Sequence, residues 1–282
     1  MREMVAKNPV IRSLKRSARS SVDRLMDRMS ISRLESSNHF RKQNFVNVLE
    51  KCNKANRNAA HHSTQKIEEI RRRLLQREDP IDDGTLDGSG IYDEGVTVRG
   101  ACSASKPPKS ALFLYYLVQE FQPRNAIELG TNVGISSAYI ASALNHGRLT
   151  TFEASPYRIR LAKEVHAETG IQNVTYVPGL FADTLENTLQ PMDPIDFAFI
   201  DGHHQYQPTL DYFHISRKYA TNEALFVFDD IQWSDGMKQA WSEIKADPCV
   251  TLSMDLQNIG VCIVEREPSS KTNASIQLRT FL

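Results

Sequence analysis

Acidic residues stand at the ends of four apolar runs in this chain. Glu128 follows Ala126-Ile127, Glu153 follows Leu149–Phe152, Asp201 follows Ile195–Ile200, and the pair Asp229-Asp230 follows Ala224–Phe228. One carboxylate at a strand end is an ordinary turn residue. Four in one crevice repel one another unless a ligand or a cation lies among them. Two histidines, His203 and His204, come directly after Asp201-Gly202, and an imidazole near its ordinary pKa can take a proton from an attacking hydroxyl. Beside Glu128 lies a glycine turn, Glu128-Leu-Gly130-Thr131-Asn-Val-Gly134-Ile-Ser136. A strand, glycine turn and helix in succession bring backbone N–H groups and a helix N-terminus to a ligand. The spacing is Glu-x-Gly-x-x-x-Gly-x-Ser, not the Gly-x-Gly-x-x-Gly of dinucleotide sites, which disfavours a dehydrogenase. Glu153 lies about 25 residues past the turn, where an acid can accept both hydroxyls of a nucleoside ribose.

These residues need a scaffold that gathers strand ends. Strands are predicted at 125–129, 149–153, 174–178, 195–201 and 224–229, separated by helical patterns, with Gly147 and Gly170 as C-terminal caps. Ser234 is placed to cap a last helix carrying Met237, Ala240, Trp241 and Ile244 on one face, so Trp241 is expected in the core. Segments 249–254 and 259–265 read as an antiparallel hairpin at the sheet edge. The fold class that follows is α/β: a Rossmann-like, doubly wound, mostly parallel seven-stranded sheet with an antiparallel C-terminal hairpin. It carries an N-terminal helical extension.

The chain divides into a basic amphipathic extension (1–76), an acidic, Gly- and Pro-rich linker and entrance loop (77–108), and the α/β domain (109–282). In the extension, Val22, Leu25, Met26 and Met29 share one helical face. Phe45, Val48, Leu49 and Cys52 share a second, and Ile67, Ile70 and Leu74 a third. Such faces pack on the main domain or on a second subunit, so a lid or a homodimer contact is expected. The linker holds Asp82, Asp83, Gly84, Asp87, Gly88, Gly90, Asp93 and Glu94, but lacks the ligand spacing of a calcium loop.

The net charge is zero, yet the first sixty residues hold 14 Lys/Arg against 5 Asp/Glu, which leaves the rest acidic. No aromatic interleaving accompanies the basic arm, so a nucleic-acid partner is disfavoured. No apolar run is long enough to span a membrane, and no secretory signal is expected. Cys52, Cys102, Cys249 and Cys262 form no Cys-x-x-Cys pair, which suits reduced thiols and a cytoplasmic location.

Glu128–Ser137, Glu153, Phe199–Tyr206 and Val227–Ile231, in this order, resemble class I S-adenosylmethionine-dependent methyltransferases. The similarity is to the small-molecule O-methyltransferase branch, which includes catechol and caffeoyl-CoA methyltransferases and bacterial tailoring enzymes. It covers about residues 105–265. The resemblance implies that Glu128, Gly130 and Thr131 approach the methionine part of the cofactor, and that Gly134 and Ser136 serve its carboxylate. It implies Glu153 at the ribose, and Gly179, Leu180 and Phe181 against the adenine. Asp201 is both a cofactor contact and, with His204, a catalytic candidate, since catechol-type relatives carry a lysine base at the position of His204. Asp201, Asp229 and Asp230 match the positions that hold a divalent cation such as Mg²⁺ in the metal-dependent members. Catechol-type relatives have Asn where this chain has Asp230, and metal-free relatives also carry acids here.

Tyr206, Gln232 and Trp233 are expected to line or brace the pocket of a small-molecule acceptor. Transfer to a hydroxyl oxygen is the leading expectation. An N-methyltransferase is the alternative within the fold, although the Asn/Asp-Pro-Pro-Tyr segment of many such enzymes is absent. A catalytically silent binding or assembly protein is the alternative outside it.

Overall fold

A computed structural model describes residues 23–24, 26–55, 62–81, 95–267 and 274–279. Val22, Leu25, the basic residues before them and the acidic stretch from Asp82 to Glu94 lie outside the described residues. The described chain runs through α1 (residues 26–36), α2 (Lys42–Ala55), α3 (His62–Leu74), α4 (Val98–Ser103) and α5 (Pro108–Phe121). Alternation follows: β1 (Asn125–Leu129), α6 (Ile135–Ala143), β2 (Arg148–Glu153), α7 (Pro156–Thr169), β3 (Val174–Pro178) and α8 (Phe181–Leu189). It continues with β4 (Ile195–Ile200), α9 (Tyr206–Lys218), β5 (Ala220–Phe228), α10 (Asp235–Ala246), β6 (Val250–Leu256), β7 (Ile259–Glu265) and β8 (Ala274–Leu278).

The strands form one sheet in the order β3-β2-β1-β4-β5-β7-β6-β8. β1 to β5 are parallel, β7 is antiparallel to both of its neighbours, and β8 runs parallel to β6. The sheet therefore has eight strands where seven were predicted. The eighth comes from the tail beyond the hairpin, whose short, partly polar sequence carries little strand signal.

Alternation along the central strands builds two cores. Ala126, Phe197, Phe199, Leu225 and Val227 pack on one face, while Ile127, Ala198, Ile200, Phe226 and Phe228 pack on the other. Two-residue periodicity sends successive side chains to opposite faces, and helices cover both. Phe45, Val48, Leu49, Cys52, Ile67, Ile70 and Leu74 belong to the first of these cores, so α2 and α3 bury their apolar faces against the main domain. Met26 and Met29 do not follow: they are 38% and 46% exposed. All four cysteines are free. No helix among the described residues is long and apolar enough to cross a membrane.

Local chemistry ends the helices. The Ser155 hydroxyl accepts from the Arg158 N–H at the start of α7, and Ser234 accepts from Met237 N–H at the start of α10. Gly170 closes α7 in the left-handed conformation. Gly147 does not cap α6, which stops at Ala143 and is followed by Leu144 in an extended conformation. A Cβ at Gly147 would lie 2.3 Å from the Pro123 carbonyl oxygen, so the glycine there permits close backbone packing instead. Residues 98–103, predicted as loop, form α4 because the Thr97 side chain accepts from Gly100 N–H.

Gly134 and Gly170 both have positive φ, +84° and +75°, but a Cβ at Gly134 would meet the Ala162 Cα at 2.7 Å, whereas at Gly170 nothing lies within 4 Å. Gly170→Ala is expected to cost about 1–2 kcal/mol for the left-handed backbone alone. Gly134→Ala adds an overpacking term of about 1–3 kcal/mol, because α7 must shift. Urea midpoints of the two variants test this; equal losses would show that α7 gives way freely.

Candidate active site

β1 lies between β2 and β4, so chain direction across the sheet reverses there and a crevice opens at the carboxyl ends of the strands. A cavity of about 1190 Å³ occupies that crevice. Gly130, Ser136, Glu153, Phe181, Asp201 and His204 are among the residues that line it. Gly130 has φ +103°, and a Cβ on it would lie 2.3 Å from the Asp201 carbonyl oxygen. Only glycine lets the turn pass the end of β4 this closely.

The Glu153 carboxylate accepts from Asn132 N–H at 2.8 Å and Ser155 N–H at 3.0 Å. Those bonds fix the acid between the glycine turn and the start of α7. Burial pushes its pKa up, while the Ser155 and Asn132 N–H groups and the Arg158 charge act in the opposite direction. Asn132 Nδ2 donates to the Ala101 carbonyl, and its buried Oδ1 has no hydrogen-bond partner. The ring of Phe181 lies where a Cβ on Gly202 would stand, 2.5 Å from its nearest carbon, so the aromatic wall rests on bare backbone.

On the opposite side the acids converge. Donor atoms of Asp201, His204 and Asp229 all lie within 4.8 Å of one another. His204 Nε2 stands 3.7 Å from Asp201 Oδ1 and 3.9 Å from Asp230 Oδ2, beyond hydrogen-bond length. His203, His204 and Asp230 have positive φ of 67°, 32° and 51°, a conformation that non-glycine residues seldom take and that costs stability where it occurs. His203 is held by a 2.6 Å contact from Nδ1 to the Tyr212 hydroxyl. Lys106 enters from the N-terminal side. Its Nζ forms an ion pair with Asp229 and stands 3.6 Å from Asp201 Oδ1. Burial raises the Asp201 pKa, and the Lys106 and His204 charges work against that rise.

Residues 127–231, which carry the glycine turn and all these acids, match a family model described as a methyltransferase domain. The chain is 30% identical over 135 residues to a catechol O-methyltransferase of Niastella koreensis, a match covering 47% of this chain. It spans 60% of the length of that curated relative. An O-methyltransferase from Bacillus cereus in complex with SAH superposes with a TM-score of 0.55 at 20% identity, covering 74% of this chain and 93% of that one. An SAH-bound methyltransferase of Podospora anserina gives 0.58 at 13% identity, covering 82% and 99%. At such identities the solved structures establish a shared Rossmann-like fold and nothing of activity.

Within the matched stretch, Gly130, Ser136, Glu153, Phe181, Asp201, His204, Asp229 and Asp230 all face the cavity. Four residues predicted at the cofactor do not line it. Thr131 Oγ1 bonds the Thr151 hydroxyl and the Phe152 carbonyl, Gly134 packs on α7, and Gly179 N–H donates to the Glu153 carbonyl. The fourth, Glu128, is fully buried beneath the turn with Thr151 Oγ1 at 2.7 Å. Asp230 lies outside the group of three donors, in which His204 takes its place. Trp233 stands 73% exposed at the cavity edge, Tyr206 is turned to Glu243, and Gln232 does not line the cavity. Trp241 is in the core with its Nε1 donating to Asp255. Ser105, Lys106 and Arg158 also line the cavity. Nothing in the sequence marks them, because a lone Ser-Lys before Pro-Pro has neither period nor motif.

Burial pushes the Glu128 pKa up to about 8, with the Thr151 hydroxyl partly opposing. A carboxyl raised in the folded state contributes stability that is complete below its unfolded pKa near 4.5 and is lost as pH rises through about 8. Wild type should therefore lose stability relative to Glu128→Gln across that window and level off above it. Denaturant midpoints of the two proteins at intervals from pH 5 to pH 9 give the comparison. A difference independent of pH would mean that Glu128 is ionised throughout.

Proposed function

We propose that this chain is an S-adenosylmethionine-dependent methyltransferase acting on a hydroxyl oxygen of a small-molecule acceptor. The observation that carries this reading is the coincidence of the matched stretch, residues 127–231, with one cavity that holds a nucleoside-type acid at one end and a base among acids at the other. The names of the similar O-methyltransferases from Niastella koreensis and Bacillus cereus point the same way. The residues fit the cofactor. Glu153 is fixed by two N–H donors with lone pairs to spare, Gly130 presents bare backbone to the cavity, and Asn132 Oδ1 is a buried acceptor without a protein partner.

When bound, S-adenosylmethionine supplies a sulfonium methyl that needs little activation. The protein's task is then alignment and proton removal. Glu153 would hold the ribose, and Phe181 would give a flat face for the base. His204 Nε2, aimed toward Asp201 and Asp230 but bonded to neither, would accept the acceptor's proton, with both carboxylates stabilising the resulting imidazolium. Asp201, His204 and Asp229 are the residues that would hold a divalent cation. Whether one fits depends on Lys106. The segment 103–110 forms a cavity wall, which supports a covering role for the N-terminal region. Homodimerisation through its helices would cover Met26 and Met29, and a cytoplasmic setting suits four free thiols.

Calorimetric titration with S-adenosylmethionine tests the first half of this reading. Glu153→Ala should weaken binding by about 1.5–3 kcal/mol, the worth of hydrogen bonds to a charged group. Unchanged affinity would remove Glu153 from the ribose, and no binding by wild type would favour a silent protein. The second half is tested by S-adenosylhomocysteine release against a metabolite extract, with catechol as a defined probe. His204→Ala should lower turnover by about 10²-fold or more while cofactor affinity is kept; equal loss of both would make His204 structural.

A further inference from the structure

We propose that the Lys106 ammonium takes the place of a divalent cation in this site and supplies the fixed positive charge that faces the acceptor oxygen. The role of that charge toward the acceptor rests on the methyltransferase reading; the replacement of the cation does not. Lys106 Nζ is paired with Asp229 and stands 3.6 Å from Asp201, two of the three residues whose donor atoms converge. The Lys106 and Asp229 side chains are only 11% and 2% exposed. A buried carboxylate that already holds an ammonium is a poor cation ligand. Binding Mg²⁺ there would either set two cations side by side or leave the ammonium buried without its partner.

Lys106 is also held in place. Its carbonyl accepts from the buried Arg71 Nη1 at 2.7 Å, Arg71 Nε donates to Glu68, and the Tyr139 hydroxyl donates to the same Glu68 oxygen. Pro107 and Pro108 follow directly, restricting the Lys106 backbone before α5 begins. The Lys106 backbone is thus fastened to α3, and the ammonium at the end of its side chain is held by the pairing with Asp229. Neither Lys106 nor its anchor Arg71 falls within the matched residues 127–231, so the charge is delivered by a segment outside the family match.

The substitution has a consequence for substrate class. A magnesium ion can gather two acceptor oxygens at once, whereas an ammonium offers three N–H donors. With two acids beside it, Lys106 retains a donor for one ligand oxygen. The acceptor is then a molecule presenting a single hydroxyl, with no need of a chelating pair. Ser105, next in the chain, lines the same cavity with a buried hydroxyl that has no protein partner, and offers that acceptor a second polar contact.

Mn²⁺ titrations followed by electron paramagnetic resonance, on the full chain without cofactor or acceptor, test the replacement. Wild type and Lys106→Arg should bind no Mn²⁺ below about 1 mM, while Lys106→Met should bind it at least about tenfold more tightly than wild type. Adding Asp229→Asn to Lys106→Met should abolish the gain. Wild-type binding that Asp229→Asn removes would overturn the proposal, as would a folded Lys106→Met that gains nothing. If Lys106→Met does not fold, wild type against Asp229→Asn still decides: binding lost on substitution overturns the proposal, and no wild-type binding upholds it. Parallel S-adenosylmethionine titrations report separately on the methyltransferase reading, since failure to bind cofactor leaves the Mn²⁺ result intact.

Discussion

Gly130 passes the end of β4 so closely that its bare α-carbon faces the Asp201 carbonyl, and Asp201 N–H in turn donates to the Leu129 carbonyl at 3.0 Å. This contact closes the sheet at the point where strand order reverses. It determines how far the glycine turn stands from the acidic end of β4, and so the width of the crevice between them. Glu153 is tied to the turn through Asn132, and Phe181 rests on Gly202, one residue past Asp201. Both ends of the cavity are therefore referred to one backbone approach. A side chain at position 130 would push the two apart.

A second constraint comes from outside the α/β body. The N-terminal helices share its core, and the chain from Tyr139 through Glu68 and Arg71 to the Lys106 carbonyl is a polar path through largely buried ground. Such networks are costly unless satisfied, and this one leaves Arg71 Nη2 without a partner. What the arrangement secures is position: an ammonium beside the buried Asp229 and the half-buried Asp201. The acidic strand ends thus gain their countercharge from the protein itself. The strained backbone at His203, His204 and Asp230 sits at the same place, where packing holds conformations that the residues would not choose alone.

Much of this was legible before folding. Residues 125–129, 174–178 and 259–265 are strands at the predicted bounds, since apolar runs bounded by turn residues have few other solutions. Ser234 and Gly170 act as caps because their side-chain chemistry and left-handed tolerance are local properties. Gly147 misled because a glycine after a helical pattern has two uses, and here close packing on Pro123 prevailed over capping. β8 was not legible, because a short edge strand draws its stability from its β6 partner more than from its own sequence. Met26 and Met29 show the limit of periodicity, which marks an apolar face without saying what covers it.

The sequence alone determined the doubly wound fold, the glycine turn and the set of acids at the strand ends, since periodicity, turn chemistry and spacing are all local. Only the tertiary structure decided which of those residues face the cavity. It left Glu128, Thr131, Gly134 and Gly179 behind the cavity lining and set His204 within 4 Å of both Asp201 and Asp230. It alone brought Lys106 to Asp229, a contact between residues 123 positions apart. An ion pair across such a distance depends on how separate elements pack, and no local pattern records it.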